Sequence, residues 1–199
     1  MKFASAAGVV ALALMGTIQV HAMPAKVEGP PPMKHGVYIA KGACPGEGCT
    51  YEFIWRATER APLYASKAGG KPNCWIAPGE ALEPVYGEVH VTPVRGVVKK
   101  RSDPFAPGDE IYLLDPVGEG ESEIWSYGRI VQWMVPEPDS GVVAWDKPLE
   151  TAHKMVWWVQ VKRSDGSKGW LRDPRGFECA DQFGGDSDCK PVPAKPKRR

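Results

Sequence analysis

Five cysteines are the residues of this 199-residue sequence with the clearest chemical potential: Cys44, Cys49, Cys74, Cys179 and Cys189. Thiols can pair as disulfides, bind zinc or act as nucleophiles. Five thiols allow many two-bridge arrangements, and the sequence alone does not select one. Locality favours Cys44 with Cys49 and Cys179 with Cys189, because a glycine-containing turn separates the members of each pair.

The other two uses of the thiols are less favoured. A zinc site built from the same four cysteines would have longer spacings than structural zinc knuckles usually show. Cys74 as a nucleophile would need a base, and His35, His90 and His153 are not in a recognisable catalytic signature. We therefore predict disulfides, no metal site and no cofactor.

Tryptophans are the second group of interest, because the chain has eight of them. Aromatic rings on a small β domain stack on sugars or hold extended peptides. The alternative for each ring is core packing, which small β domains need. Trp157 and Trp158 must face opposite sides of a strand. The ligand-binding candidates are Trp125, Trp145 and Trp157.

Acidic residues offer the main enzymatic alternative. A cell-wall hydrolase of the glycosidase type needs two carboxylates facing each other across a cleft. Glu119, Glu121 and Glu123 alternate, but the neighbouring Gly118 and Gly120 favour a solvated loop. We predict that the protein is not an enzyme.

Turns and short apolar clusters predict an all-β fold. The region after residue 22 holds all 20 prolines and 20 of the 22 glycines. Ala77-Pro78-Gly79-Glu80 and Ala106-Pro107-Gly108-Asp109 share one pattern that predicts a type II turn before a strand. Asp165-Gly166 predicts a hairpin between 156–162 and 168–171. Residues 51–57 and 124–131 also have the character of strands.

The N-terminus has the pattern of a cleavable signal peptide over residues 1–22. Lys2 precedes a short apolar stretch, and Val20-His21-Ala22 suits a signal peptidase. We expect a periplasmic or secreted protein, with no transmembrane segment after cleavage. Without residues 1–22 the chain has 24 basic and 24 acidic residues, which argues against nucleic-acid binding. Oxidising conditions after export favour disulfides.

Composition divides the remainder into four parts. Residues 23–35 form a Pro-rich linker, and residues 36–100 and 101–175 form two lobes separated at a charged run. Residues 176–199 hold an irregular Cys-containing loop and a basic, Pro-rich tail. Such a tail could contact anionic polymers, although a disordered solubilising role is favoured by its composition.

Two stretches carry a family resemblance. Residues 157–171, with Trp157-Trp158 and Gly169-Trp170, resemble the distal hairpin and closing strand of bacterial SH3-like domains. Residues 43–51, 87–93 and 108–120 resemble an uncharacterised exported bacterial family. The resemblance implies two small SH3-like barrels in tandem, and it brings no catalytic or binding residues with it.

These observations lead to one functional expectation and two alternatives. The resemblance implies a non-enzymatic binding module of the cell envelope, with peptidoglycan or an envelope protein as its partner. The first alternative is a structural or assembly protein that uses its basic tail on anionic envelope polymers. The second is a cell-wall hydrolase. The sequence does not specify the oligomeric state.

Overall fold

The computed structural model describes residues 29–46, 48–181 and 189–193 and shows an all-β protein. The predicted fold class is therefore confirmed. The expected signal peptide and most of the basic tail lie outside the described residues. Within those residues, no helix is long and apolar enough to cross a membrane.

Thirteen strands and one short helix make up the regular structure of the described residues. The strands are β1 (Tyr38–Lys41), β2 (Trp55–Ala57), β3 (Ala61–Leu63), β4 (Cys74–Ile76), β5 (Ala81–Thr92), β6 (Val94–Val98), β7 (Glu110–Gly118), β8 (Glu121–Ser126), β9 (Arg129–Met134), β10 (Val143–Trp145), β11 (Lys154–Lys162), β12 (Lys168–Arg172) and β13 (Phe177–Glu178). The helix is α1 (Leu149–Ala152), and a single 3₁₀ turn covers Pro138–Ser140.

The described strands form three antiparallel sheets, of which β3-β4 is a two-stranded one and the two larger sheets share one strand order. The six-stranded sheet runs β12-β11-β5-β2-β13, with β1 also paired to β5. The five-stranded sheet runs β9-β8-β7-β6-β10. Strand β2 thus corresponds to β6, β5 to β7 and β11 to β8. The molecule consists of two β units with the same pairing plan, each an open sheet.

The two units are not consecutive in sequence. The whole five-stranded sheet comes from residues 94–145, between β5 and β11 of the other sheet. Strand β11 pairs with β5 over nine positions, from Lys154 opposite Thr92 to Lys162 opposite Glu83. The strand pairing therefore divides the chain differently from the boundary expected between residues 100 and 101. One unit is inserted into the other, so tandem succession does not describe the pairing.

Each unit has its own apolar core. Trp55, Leu82, Val159 and Val161 are fully buried in the first core. The second core is built from the five-stranded sheet and includes Ile111, Ile124 and Trp133, with the last ring edge-on to Phe105 at a centroid distance of 5.0 Å. At roughly 25 cal/mol per Å² of buried apolar area, these cores are the main favourable term for folding.

The two Pro-Gly turns have the predicted geometry. Gly79 and Gly108 have φ angles of 81° and 95°, as the third residue of a type II turn requires. The acid after each glycine bonds back to the first residue of its turn, at 3.1 Å for Glu80 and 2.9 Å for Asp109. The turns introduce β5 and β7, which are equivalent strands in the two units.

The strands differ from the sequence expectation at two places. The segment 124–131 is a hairpin, because Tyr127 and Gly128 both have positive φ angles and form a two-residue turn. Residues 51–54 lie outside the strands, and β2 covers only Trp55–Ala57, of which Trp55 and Arg56 pair with β5. The Asp165-Gly166 hairpin is present as predicted, with Gly166 at φ 83°.

Candidate functional site

The two disulfide-bonded segments lie side by side. The structure joins Cys44 to Cys49 and Cys179 to Cys189, with Cα–Cα distances of 5.8 and 5.6 Å. Cys49 forms a β-bridge with Asp181, so the two Cys-containing segments are held side by side. This pairing is the one that locality favoured in the sequence.

A groove opens over Trp157 between these segments and the turn after β12. It has a volume of about 480 Å³. We call it the Trp157 groove, and its lining residues are Pro45, Met155, Trp157, Asp173, Pro174 and Arg175. A second recess of about 210 Å³ adjoins it through Pro45 and Trp157 and extends to Gly48 and Cys49. The predicted candidate Trp157 therefore lies in a concave feature of the six-stranded unit.

The polar edge of Trp157 is already occupied within the protein. Its indole N–H donates to the Tyr51 hydroxyl at 2.9 Å, and that hydroxyl donates to the Ala43 carbonyl at 2.8 Å. Burial raises the pKa of Tyr51 to about 12, so its hydroxyl stays protonated. Gly87 leaves room for the Tyr51 side chain, because a Cβ at residue 87 would overlap the Tyr51 hydroxyl. A ligand in the groove therefore meets the face of the indole, not its N–H.

Backbone contacts fix the other wall of the groove. The Trp157 amide donates to the Asp173 carboxylate at 2.7 Å, and the Asp173 amide donates to the Trp157 carbonyl at the same distance. Asp173 has a positive φ of 44°, which turns the chain sharply into Pro174 and Arg175. The groove thus combines apolar surfaces with an exposed guanidinium and an exposed carboxylate. Such a combination suits a ligand with both rings and charges.

Trp125 lies elsewhere, in the five-stranded unit. Its indole N–H donates to the Gly29 carbonyl at 3.0 Å. Gly29 is followed by Pro30, Pro31 and Pro32, and Pro31 is buried. Part of the expected linker therefore packs against the folded unit and does not hang free.

Trp145 is on the opposite face of that sheet. Trp125 lies opposite Tyr112, whereas Trp145 lies opposite Gly96, which pairs with Ile111. Neighbouring residues of a strand face opposite sides, so Trp125 and Trp145 are separated by the sheet. Trp145 packs on the second core. The structure does not bring the three candidate tryptophans together.

Two of the three acids expected in a solvated loop at 119–123 lie on a strand instead. Glu119 is in a turn, but Glu121 and Glu123 are on β8. Asp115 is only 3% exposed, and its Oδ1 has no hydrogen-bond partner among the described residues. Burial, assisted by the charge of Glu123, raises the pKa of Asp115 to about 7. Burial also raises the pKa of Glu123.

His153 contacts the strand that carries Asp115. Its ring Nε2 lies 2.7 Å from the Leu114 carbonyl, and burial lowers its pKa. A neutral imidazole can donate its N–H to a carbonyl, and such a bond gives His153 a structural role. None of these acids and bases lines the Trp157 groove.

A further charged cluster was not anticipated from the sequence. Glu88, 6% exposed, accepts hydrogen bonds from Lys67 and from His90, the second at 2.9 Å. Burial alone would raise the pKa of Glu88, but these hydrogen bonds outweigh burial and lower it. Lys67 also lies 4.6 Å from the ring centre of Trp170. The cluster joins the loop before β4 to strand β5 of the six-stranded sheet.

Cys74 remains as a free, half-buried thiol beside the guanidinium of Arg163, at a sulfur–nitrogen distance of 3.8 Å. No three His, Cys, Asp or Glu side chains of the described residues are grouped as a metal site would need. Residues around the Trp157 groove other than Trp157 were also missed. The Asp-Pro-Arg-Gly sequence at 173–176, which follows the predicted closing strand, could have indicated a turn at this place.

One exposed tryptophan was missed as well. Trp75 is 47% exposed, and the guanidinium of Arg60 lies 4.2 Å from its ring centre. It lies on the β3–β4 hairpin, outside the Trp157 groove.

Comparisons with family models, with curated proteins and with solved structures gave no match for this chain. Inference about its function therefore starts from its own residues.

Proposed function

We propose that this chain is an exported binding module of the cell envelope, and that its Trp157 groove takes a segment of peptidoglycan. The observation that carries the proposal is the half-buried Trp157 ring at the floor of a groove walled by the Cys44–Cys49 loop and by residues 173–175. The residues of the groove are suited to binding rather than to catalysis.

The size of the groove favours a short polymer segment. A volume of about 480 Å³ is within the ~300–1,000 Å³ typical of small-ligand sites. A stable protein–protein contact would need about 800 Å² from each partner, which is much more than these six lining residues supply. We therefore place peptidoglycan ahead of an envelope protein as the partner.

The chemistry of the groove points the same way. The indole face and two prolines form a flat apolar surface on which a sugar ring can stack. Arg175 can pair with a peptide carboxylate, and Asp173 is placed to attract an amine. Peptidoglycan carries sugars together with short charged peptides, so it offers a partner for each of these groups.

Export is supported by the two disulfides. The Cys44–Cys49 segment walls the groove, the Cys179–Cys189 segment is bridged to it, and disulfides persist in oxidising compartments. A periplasmic or secreted location would also place the protein next to peptidoglycan. The resemblance of residues 157–171 to bacterial SH3-like hairpins supports the same proposal.

Co-sedimentation with purified cell-wall sacculi tests the proposal. We expect the intact chain to sediment with sacculi and Arg175→Ala and Met155→Ser to lose most of that binding. Both residues are exposed, so their substitution should leave folding intact. Trp75→Ala is the matched control, because it removes an exposed tryptophan outside the groove. Equal sedimentation of all variants, or none of the intact chain, would refute the proposal.

A further inference from the structure

The segment that holds three consecutive prolines, residues 29–32, is tied to the five-stranded unit through Trp125. Residues 30–32 are three consecutive prolines, which favour an extended polyproline conformation. The Gly29 carbonyl just before them accepts a hydrogen bond from the Trp125 indole N–H, and Pro31 is buried. The contact joins residues 96 positions apart, so it is tertiary, not local.

The surface around this contact has the components of a polyproline site. Trp125 contributes a half-buried indole, and Tyr127 follows two residues later at the tip of the β8–β9 hairpin. A recess of about 140 Å³ lies beside Gly29 and is lined by Gly29, Gly108, Glu110 and Tyr127. That volume is close to the roughly 150 Å³ that admits a benzene-sized group.

Tyr127 is held in place at a conformational cost. Its φ of 51° is unusual for an aromatic residue, and its hydroxyl donates to the Asp109 carboxylate. Glu110 is fixed in turn by the Arg95 guanidinium, at 2.5 Å, and by the Tyr112 hydroxyl at 2.8 Å. These contacts preorganise the recess, so little order must be gained when a ligand binds.

We propose that this surface, the Trp125 surface defined by Gly108, Glu110, Trp125 and Tyr127, recognises an extended proline-rich segment of another protein. Residues 29–32 occupy it in the unbound chain as an internal ligand. Aromatic side chains recognise polyproline helices because the prolines supply rigid apolar ridges and carbonyls that accept hydrogen bonds. In this chain the Gly29 carbonyl supplies such an acceptor, and the nearby Pro31 is buried.

Because residues 29–32 occupy the surface, an external ligand must compete with them for it. A tethered segment has an effective concentration in the millimolar range, and a competing peptide must overcome it. An external peptide binds only those chains in which the site is open. Its apparent affinity is therefore its intrinsic affinity multiplied by the fraction of open chains. The proline segment therefore makes the surface selective for ligands that bind tightly or at high local concentration.

A peptide titration tests this proposal. The probe is a synthetic peptide with the sequence of residues 29–34, Gly-Pro-Pro-Pro-Met-Lys, and the control peptide has alanine at its three proline positions. The opened variant carries Pro30→Ser, Pro31→Ser and Pro32→Ser in the intact chain. We expect the opened variant to bind the probe at least 10-fold more tightly than the unchanged chain does, and to ignore the control peptide.

Trp125→Phe in the opened variant keeps a ring but removes the N–H donor. We expect about a 5-fold loss of affinity for the probe, as for one hydrogen bond. Equal affinities of the opened and unchanged chains, or no binding of the probe at millimolar concentration, would overturn the proposal.

A second readout uses the unchanged chain and covers the case in which the opened variant does not fold. Excess probe should shift the NMR resonance of the Trp125 indole N–H and leave that of Trp75 in place. If millimolar probe moves neither resonance, or moves both equally, the Trp125 surface is not a peptide site and the proline segment is only a packing element.

Discussion

Trp157 donates its indole hydrogen to the Tyr51 hydroxyl at 2.9 Å, so the ring at the base of the groove is fixed by a residue 106 positions away. The same hydroxyl donates to Ala43, next to Cys44. One phenol therefore connects the tryptophan to the disulfide loop that walls the groove. The shape of the groove depends on this connection.

Tyr51→Phe should loosen that connection without removing a ring. The indole N–H and the Ala43 carbonyl would both lose their partner, and we expect a loss of about 1–3 kcal/mol in the free energy of unfolding. Urea denaturation followed by tryptophan fluorescence measures it. Tyr64→Phe, which keeps the ring contact with Trp158, is the control and should change stability by less. Equal losses in the two variants would contradict the importance of the Tyr51 hydroxyl.

Asp115 should make the protein less stable as the pH rises. Its folded-state pKa of about 7 lies above the ordinary aspartate value of 3.8, because burial disfavours its charged form. The folded state thus holds a proton that the unfolded state has released, and stability falls between about pH 4 and pH 7. A shift of this size corresponds to about 4 kcal/mol above pH 7.

Asp115→Asn removes this dependence. We expect the variant to be more stable than the unchanged chain at pH 8 and to differ little from it at pH 4, as measured by urea denaturation across that range. The exposed Asp139→Asn is the control and should follow the unchanged chain. A variant that is no more stable at pH 8 would show that Asp115 is charged without penalty in the folded protein.

Each disulfide should stabilise the protein and its groove. Replacing Cys44 and Cys49, or Cys179 and Cys189, with serine should cost roughly 2–3 kcal/mol, because each bridge restricts the unfolded chain. Thermal denaturation measures the loss, and binding to sacculi should weaken in the same variants. Cys74→Ser is the control. Mass spectrometry of non-reduced digests would contradict the pairing if Cys74 were found in a bridge.

Trp145 should behave as a core residue, although the sequence made it a ligand candidate. A Cβ at Gly96 would lie 2.6 Å from Cε3 of Trp145 and 2.6 Å from Cγ1 of Val143. Gly96→Ala should therefore cost about 1–3 kcal/mol through overpacking. Adding Trp145→Leu should relieve part of that cost, so the two substitutions will not be additive. Additive losses in urea denaturation would show that the two residues are not in contact.

Local chemistry explains which parts of the fold could be predicted. The Pro-Gly turns and the Asp165-Gly166 hairpin are set by residues that are close in sequence, and the structure has them as expected. Tyr127-Gly128 was missed because an aromatic residue rarely adopts a positive φ, so nothing marked a turn inside an apolar run. The insertion of one unit into the other was also missed, since strand pairing over long separations leaves no local signal.

The candidate groove was predictable only in part. Trp157 could be identified because its neighbour Trp158 had to face the other side of the strand. The remaining lining residues come from the Cys44–Cys49 loop, the start of β11 and the turn at 173–175. Their convergence depends on the tertiary pairing of β5 with β11. All three candidates were chosen because the chain is rich in tryptophan. That criterion cannot distinguish Trp157, which lines a groove, from Trp125, which bonds to Gly29, or from Trp145, which packs on a core.

NMR titration of the isotope-labelled chain with soluble peptidoglycan fragments examines the groove at single-residue level. We expect the Met155 methyl and the Trp157 indole N–H resonances to shift together and to saturate, while those of Trp75 and Trp125 stay in place. Saturable shifts at Trp75 or Trp125 with Met155 and Trp157 unmoved would mean that the ligand binds elsewhere, and the assignment of the groove would be wrong.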